Sequence, residues 1–420
     1  VSTISDRSPI AVAYRDLAGR LPAIAAGAPL TFCGMSACVD ATINMGEMTA
    51  LIEATEPPGA VAFANMLKGR AARGIGGEVR VEWPEGPAWL AERLRPRYSL
   101  GGTGPHASWV LSTLRAPAVL NLGDRSEHML SHLPERVLLA QGDALLPAAQ
   151  VKRRGVRRPN IFIFEYTAGV PVGDVMPTRS TRIIVRFDDP GLEHDDDFEA
   201  ASVRAGADAG SGLVAGFGAI SLAELPGELD RVFGLTRRWH AAGMPHIHLE
   251  MSGIDTPRQR DLMLEAAAEG RLSSIGMSQS ELVDIYPESA DTALLPRKMA
   301  ELGDRLHLRR ICVHADHWAA SVTLDDPEIE RDALMAGCLL SSCRASEGRP
   351  VVPSGPPAKA EFGTPPFAAD ARVGKWRVVA VPSPYLARPV TTLGLGDTFT
   401  AGCLLVLGAT TAAGRERKEA

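Results

Sequence analysis

No run of about 18 apolar residues occurs in this 420-residue chain, so no segment has the length and apolarity of a membrane-spanning helix. The six cysteines (Cys33, Cys38, Cys312, Cys338, Cys343 and Cys403) contain no CxxC pair, which removes the usual thiolate-metal and dithiol-redox spacings. Most of them lie in apolar runs, where a free thiol packs as a small hydrophobe, and reduced cysteines are expected of a reducing compartment. Residues Val1 to Arg7 lack the basic-then-apolar order of a signal peptide, and a cytoplasmic location is expected. Excess positive charge is missing too. The net charge is −6, which gives no global electrostatic case for nucleic acid or an anionic membrane. Internal repeats are absent. What is present is ordinary for a globular protein: 45% hydrophobic and 22% charged residues. The length suits about two or three domains' worth of sequence.

Short apolar strands alternate with helical segments along much of the chain. Leu30 to Met35, Pro117 to Leu122, Ser211 to Phe217, His246 to Met251, Leu272 to Met277, Arg310 to His314 and Trp376 to Val381 all read as buried strands. Such interleaving predicts an α/β fold with a doubly wound, mostly parallel sheet covered on both faces. Glu78 to Trp83, Asn160 to Tyr166 and Thr181 to Phe187 alternate in polarity instead, as half-exposed strands do. They predict a smaller sheet with one wet face. The expected division is a large domain from residues 1–45, 101–150 and 200–420, carrying a discontinuous lid from 46–100 and 151–199. Gly46 to Ala64 reads as helical with a break at Pro57-Pro58-Gly59, Tyr98 to Thr103 as a glycine turn, Ala107 to Leu114 as a helix, and Gly348 to Phe367 as a surface loop. The basic run Lys152 to Arg158 reads as a solvated loop, with capture of a phosphorylated substrate as the alternative.

The segment Thr392-Leu393-Gly394-Leu395-Gly396-Asp397-Thr398 says most about function. It opens an apolar helix, Phe399 to Leu407, with Thr392 and Thr398 as candidate caps. A helix start has unpartnered N–H groups and a partial positive charge, and glycines let a phosphate reach those amides. A carboxylate there is poorly placed to bind an anion but well placed to take a proton. That pairing points to phosphoryl transfer to a hydroxyl.

Taken in order, eight segments resemble the ADP-dependent glucokinases and phosphofructokinases of the ribokinase superfamily. They are Gly34 to Asp40, Gly101-Gly102-Thr103-Gly104, Asn160 to Tyr166, Thr181-Arg182-Ile183-Ile184, His248-Leu249-Glu250, Ser274 to Glu281, Ile311 to His314 and Gly394 to Asp397. The resemblance implies a ribokinase-like fold and an ADP-dependent kinase acting on a sugar or sugar phosphate with Mg²⁺. It implies Asp397 as base and Gly394, Leu395 and Gly396 as an anion hole. Arg182 would contact the nucleotide phosphates, where a guanidinium fork can bind two oxygens. His314 would lie near the adenine site. Asp40, Gly102 and Thr103 would hold the acceptor, and Glu250 and Glu281 would hold Mg²⁺, a hard cation that keeps several waters. The resemblance also implies a monomer.

Two departures stand out. The family pattern has Asn-x-Asn before the acceptor-binding aspartate, where this chain has Ser36-Ala37-Cys38, and Ser278 replaces the asparagine of NxxE. Altered polar partners are expected to change the acceptor or the metal geometry. An ATP-dependent sugar or nucleoside kinase, and a nucleotide-binding homologue without catalysis, are the alternatives. His246 and His248, two apart on a strand, also resemble a soft-metal pair, though without a third ligand.

Overall fold

In the computed structural model, which describes residues 8–155, 161–188, 191–251, 253–254, 256–368 and 370–419, an eleven-stranded sheet forms the body of the protein. Its strand order is Arg372–Val373, Trp376–Pro382, Trp318–Thr323, Arg310–His314, Ser274–Ser278, His246–Glu250, Ser211–Val214, Thr31–Cys33, Ala118–Leu120, Leu138–Gln141, Ala144–Pro147. The seven strands from Arg310–His314 to Leu138–Gln141 pair in parallel. Antiparallel strands extend the sheet at both ends.

The parallel strands read as continuous apolar runs because both faces are buried. Ile311 and Val313 face one core layer and Cys312 the other. One layer includes helices Pro9–Ala26, Thr103–Thr113, Pro327–Glu347 and Leu395–Glu419. The opposite layer includes Asp196–Ala205, Leu225–Ala241, Pro257–Glu269 and Leu295–Arg305. Among the described residues, no helix is long and apolar enough to cross a membrane.

A second, five-stranded sheet has the order Gly77–Arg80, Thr181–Arg186, Ile161–Tyr166, Cys38–Asn44, Arg97–Gly101. Alternation gives it two different faces. Ala41, Ile43, Phe162, Phe164, Ile183 and Val185 pack in a third core with helices Pro58–Ala72 and Gly86–Leu94. Their neighbours Asp40, Ile161, Ile163, Arg182, Ile184 and Arg186 line a cavity shared with the large sheet.

Several expectations need correction. Cys38–Asn44, expected in the large domain, pairs within the small sheet. Asp196–Ala205, which begins inside the expected lid, packs Phe198 into the large core. Arg97–Gly101 is a strand rather than a glycine turn, because its backbone pairs with Cys38–Thr42. Trp318–Thr323 is a further strand, hairpinned onto Arg310–His314. The last helix runs through Gly408 to Glu419. A Cβ at Gly408 would come within 3.2 Å of Gly210 Cα, so the glycine permits close packing rather than ending the helix.

Candidate active site

The strand Thr31–Cys33 has parallel neighbours on both sides, Ala118–Leu120 reached first and Ser211–Val214 later. The chain thus winds outward in both directions from this strand, and the crevice beyond the strand ends at such a switch point is where open α/β sheets bind ligands. A cavity of about 340 Å³ lies there. Its floor includes residues at or just beyond the strand ends, Ser36 to Cys38, Gly216, Met251, Ser278 and His314, and its roof is the face of the small sheet opposite the third core. Beside it lies a second cavity of about 630 Å³, lined in part by Thr181, Ser341, Ser342, Tyr385, Leu386 and Phe399. Arg182, His314, Leu395 and Gly396 line both.

The turn between the cavities is built by its glycines. Gly394 has φ +65°, a left-handed conformation that side chains disfavour, and a Cβ there would run into the Arg344 guanidinium. The helix begins at Leu395, and its first turn closes with Thr398 N–H donating to Gly394 O at 3.0 Å. The amides of Leu395, Gly396 and Asp397 precede that bond, as an anion site at a helix start requires. Thr398 is not a cap, since its hydroxyl donates back to Gly394 O at 2.7 Å. Thr392 is not a cap either. Its hydroxyl accepts from Arg182 Nη1 at 3.2 Å, a contact joining the small sheet to this turn.

Asp397 is held in the first helical turn and lines the smaller cavity. Burial raises its pKa, while a hydrogen bond from Thr103 and the charge of Arg344 oppose the rise. Arg182 is mostly enclosed; burial lowers its pKa, and Asp397, Glu165, Glu78 and Asp40 act the other way. Asp40 is buried under the small sheet, and burial pushes its carboxyl up to about 7 despite a hydrogen bond from the Cys38 thiol at 3.2 Å. Its carboxylate lies over Gly101, where any side chain would overlap it. Gly102 and Thr103 follow at the start of helix Thr103–Thr113 and also line this cavity.

Glu250 ends strand His246–Glu250 and is buried. Burial alone would raise its pKa, but donors from His248 at 3.1 Å and His314 at 3.4 Å hold it down to about 2. Thr400 donates to the same Oε2 that meets His248, at 2.8 Å. Glu281 closes a capping box with Ser278, its Oε2 accepting from Ser278 N–H at 2.7 Å and Oγ at 2.9 Å. Its pKa is raised, first by burial. Serine in place of asparagine therefore still anchors Glu281.

Each carboxylate commits Oε2 to protein donors and lines the cavity with its other oxygen less engaged. Two such oxygens fit a hard cation that draws its remaining ligands from water and phosphate. Among the described residues, no group of three or more His, Cys, Asp or Glu side chains could hold a metal ion. The soft-metal pair fails as well: His246 Nε2 meets Thr411 Oγ1 at 2.8 Å, while His248 is taken up by Ser274 and Glu250.

The basic run does not reach this site with the residues described. Arg154 binds Asp195 and Gly123 O, Arg153 pairs with Glu127, and Lys152 is exposed. Arg157 and Arg158 lie outside the described residues. Two functional candidates were not apparent from the motifs. Arg344, in helix Pro327–Glu347, donates to Gly394 O, to Thr398 Oγ1 and to His106 Nδ1 at 3.2, 2.9 and 3.0 Å. His106 lines the smaller cavity. The available signal was a lone arginine in the otherwise uncharged run Ala333 to Ala345.

The conserved-region model described as ADP-specific phosphofructokinase/glucokinase matches residues 30–406. Among solved structures, an ADP-dependent kinase in complex with fructose 6-phosphate and ADPβS superposes with a TM-score of 0.79 at 16% identity, covering 97% of this chain and 99% of that one. A phosphofructokinase from Pyrococcus horikoshii with AMP gives 0.73 at 18% identity, covering 93% and 99%. At such identities these likenesses establish the fold. No curated protein matches the sequence.

Proposed function

The chain belongs to the ADP-specific phosphofructokinase/glucokinase family, and from that premise we propose how its residues divide the work of an ADP-dependent sugar kinase. ADP occupies the larger cavity and the acceptor, a sugar or sugar phosphate, the smaller. The observation that carries this reading is the junction: Arg182, His314, Leu395 and Gly396 line both cavities, with Asp397 on the acceptor side. A phosphoryl group crossing from one to the other passes over the free amides of the helix start.

The acceptor hydroxyl donates to Asp397, whose burial-raised pKa makes it a better proton acceptor than an ordinary carboxylate. The amides of Leu395, Gly396 and Asp397 and the Arg182 fork face the charge that spreads over the transferring oxygens, and being fixed in advance they need no reorganisation. Asp40 accepts from acceptor hydroxyls. Mg²⁺ at Glu250 and Glu281 would neutralise phosphate charge. The small sheet with its helices serves as a lid over the acceptor, excluding water that would otherwise hydrolyse the nucleotide.

Asp397→Asn tests the assignment. Turnover with ADP should fall by at least about a thousandfold while ADP still raises the melting temperature as in the wild type. Retained turnover would remove Asp397 from the role of base, and turnover with ATP alone would overturn the donor.

A further inference from the structure

His106 sits in the first turn of helix Thr103–Thr113, 2% exposed, three residues after the threonine that hydrogen-bonds Asp397. Its Nδ1 lies 3.0 Å from Arg344 Nη2. A guanidinium can only donate, so Nδ1 is the acceptor and the ring proton of the neutral imidazole stays on Nε2. Burial and the charges of Arg344 and Arg182 push the imidazole pKa well below its usual value, which keeps the ring neutral. Among the described residues, Nε2 has no protein partner, and the ring lines the acceptor cavity.

The chemistry of that cavity gives such a donor a use. Asp40 and Glu78 line it, Glu78 with Oε2 paired to Arg186 at 3.4 Å, and ionised carboxylates only accept. They engage the protons of a polyol and leave its oxygen lone pairs to be met by donors. A fixed N–H meets one of them. Arg344 does two things at once, because the same guanidinium donates to Gly394 O and Thr398 Oγ1 within the anion-hole turn. We infer that His106 binds a hydroxyl or ether oxygen of the acceptor through Nε2–H, with Arg344 as a positioning residue that sets the ring's tautomer and braces the Gly394 turn. The acceptor part rests on the kinase reading above; the tautomer part does not.

Two amide substitutions separate the roles. Asparagine in place of His106 would offer an oxygen near the place of Nδ1 and no donor at Nε2, whereas glutamine would offer a donor near Nε2 and nothing to Arg344. His106→Asn should raise the acceptor KM about tenfold, the loss expected for one neutral hydrogen bond, with kcat, the KM for ADP and the melting temperature close to wild type. His106→Gln should leave the acceptor KM within about twofold and lower kcat and melting temperature, since Arg344 loses an acceptor and the turn its brace. An unchanged acceptor KM in His106→Asn overturns the binding role. Histidine-selective ¹⁵N spectra, with the His106 signals identified by their loss in either variant, should show an Nε2–H tautomer that Arg344→Lys disturbs. An Nδ1–H tautomer overturns the positioning role. Wild-type protein that phosphorylates no sugar would refute the kinase reading and with it the acceptor role, leaving the spectra to decide the Arg344–His106 part.

Discussion

Replacing Asp40 by asparagine should make the protein more stable, and increasingly so as pH rises. Asp40 is 4% exposed, and burial lifts its carboxyl from the ordinary 3.8 to about 7. In the unfolded chain the group regains its ordinary value. Below about pH 4 both states hold the proton and the full stability is present. Between about 4 and 7 only the folded state holds it, so stability falls by about 1.4 kcal/mol per pH unit. Above about 7 both states are ionised and the loss levels off at roughly 4 kcal/mol. The substituted amide keeps the shape of the side chain and does not titrate. Urea unfolding of wild-type and Asp40→Asn protein near pH 5 and near pH 8 should therefore show the variant gaining roughly 2 to 3 kcal/mol relative to wild type across that interval. Glu281 and Asp397 also carry raised pKa values, but they titrate in both proteins and largely cancel in the difference. A difference constant to within about 0.5 kcal/mol would refute the argument that Asp40 is held in a site hostile to its charge. The same energetics governs binding. Acceptor hydroxyls donate to the ionised form, so the acceptor KM should rise about tenfold per pH unit below 7, and Asp40→Asn should abolish that dependence.

The Cys38 thiol donates a hydrogen bond to Asp40 that lowers its pKa. Cys38→Ala should move the acidic limb of the acceptor-KM profile to higher pH, and Cys38→Ser should move it back toward wild type; coincident profiles would remove the thiol from this role. Gly394→Ala places a methyl against the Arg344 guanidinium at positive φ. It should lower kcat on the order of a hundredfold and reduce the melting temperature, and a normal kcat would count against the turn as an anion hole. Arg182→Lys keeps one charge but loses the fork, so kcat/KM for ADP should fall on the order of a hundredfold in steady-state assays, with little change in the acceptor KM.

Strand placement in the large sheet was legible because parallel strands buried on both faces leave continuous apolar runs, such as Arg310 to His314. A separate small sheet was legible from the alternation of Thr181 to Phe187, but its expected wet face is mostly buried, with Asp40, Ile161, Ile163 and Arg186 all enclosed over the cavity. Cys38–Asn44 was hidden because it follows a glycine turn and belongs to a different sheet from Thr31–Cys33, five residues earlier. Local pattern carries no record of which sheet a strand joins. The structure brings the motif residues together: Asp40, Gly102, Thr103, Arg182, Glu250, Glu281, His314 and Gly394 to Asp397 all line one cavity. Arg344 and His106 were missed because their importance lies in a contact across 238 positions, which no spacing rule can show.

The departures from the family pattern are not scattered at random over this site. Ser36, Cys38 and Ser278 all line the smaller cavity and none lines the larger, and His106, which belongs to no motif, lines the smaller one too. Asparagine side chains can both donate and accept, whereas the thiol at Cys38 spends its one donor on Asp40 and gives the acceptor nothing in return. What the cavity then offers a substrate is acidic on one side, at Asp40 and Glu78, and apolar on another, at Ile161, Ile163 and Ile184. Arg186 also lies there, bonding Gly218 O at 2.6 Å and pairing with Glu78 at 3.4 Å, so those two charges partly offset each other and Asp40 is the carboxylate left to the substrate. The nucleotide-facing turn, by contrast, keeps the Gly-x-Gly-Asp wording in full. On the function proposed above, the departures therefore bear on the smaller cavity, while Arg182, His314, Leu395 and Gly396 are shared by both, and the changed residues point to an acceptor that presents several hydroxyl donors and one apolar face.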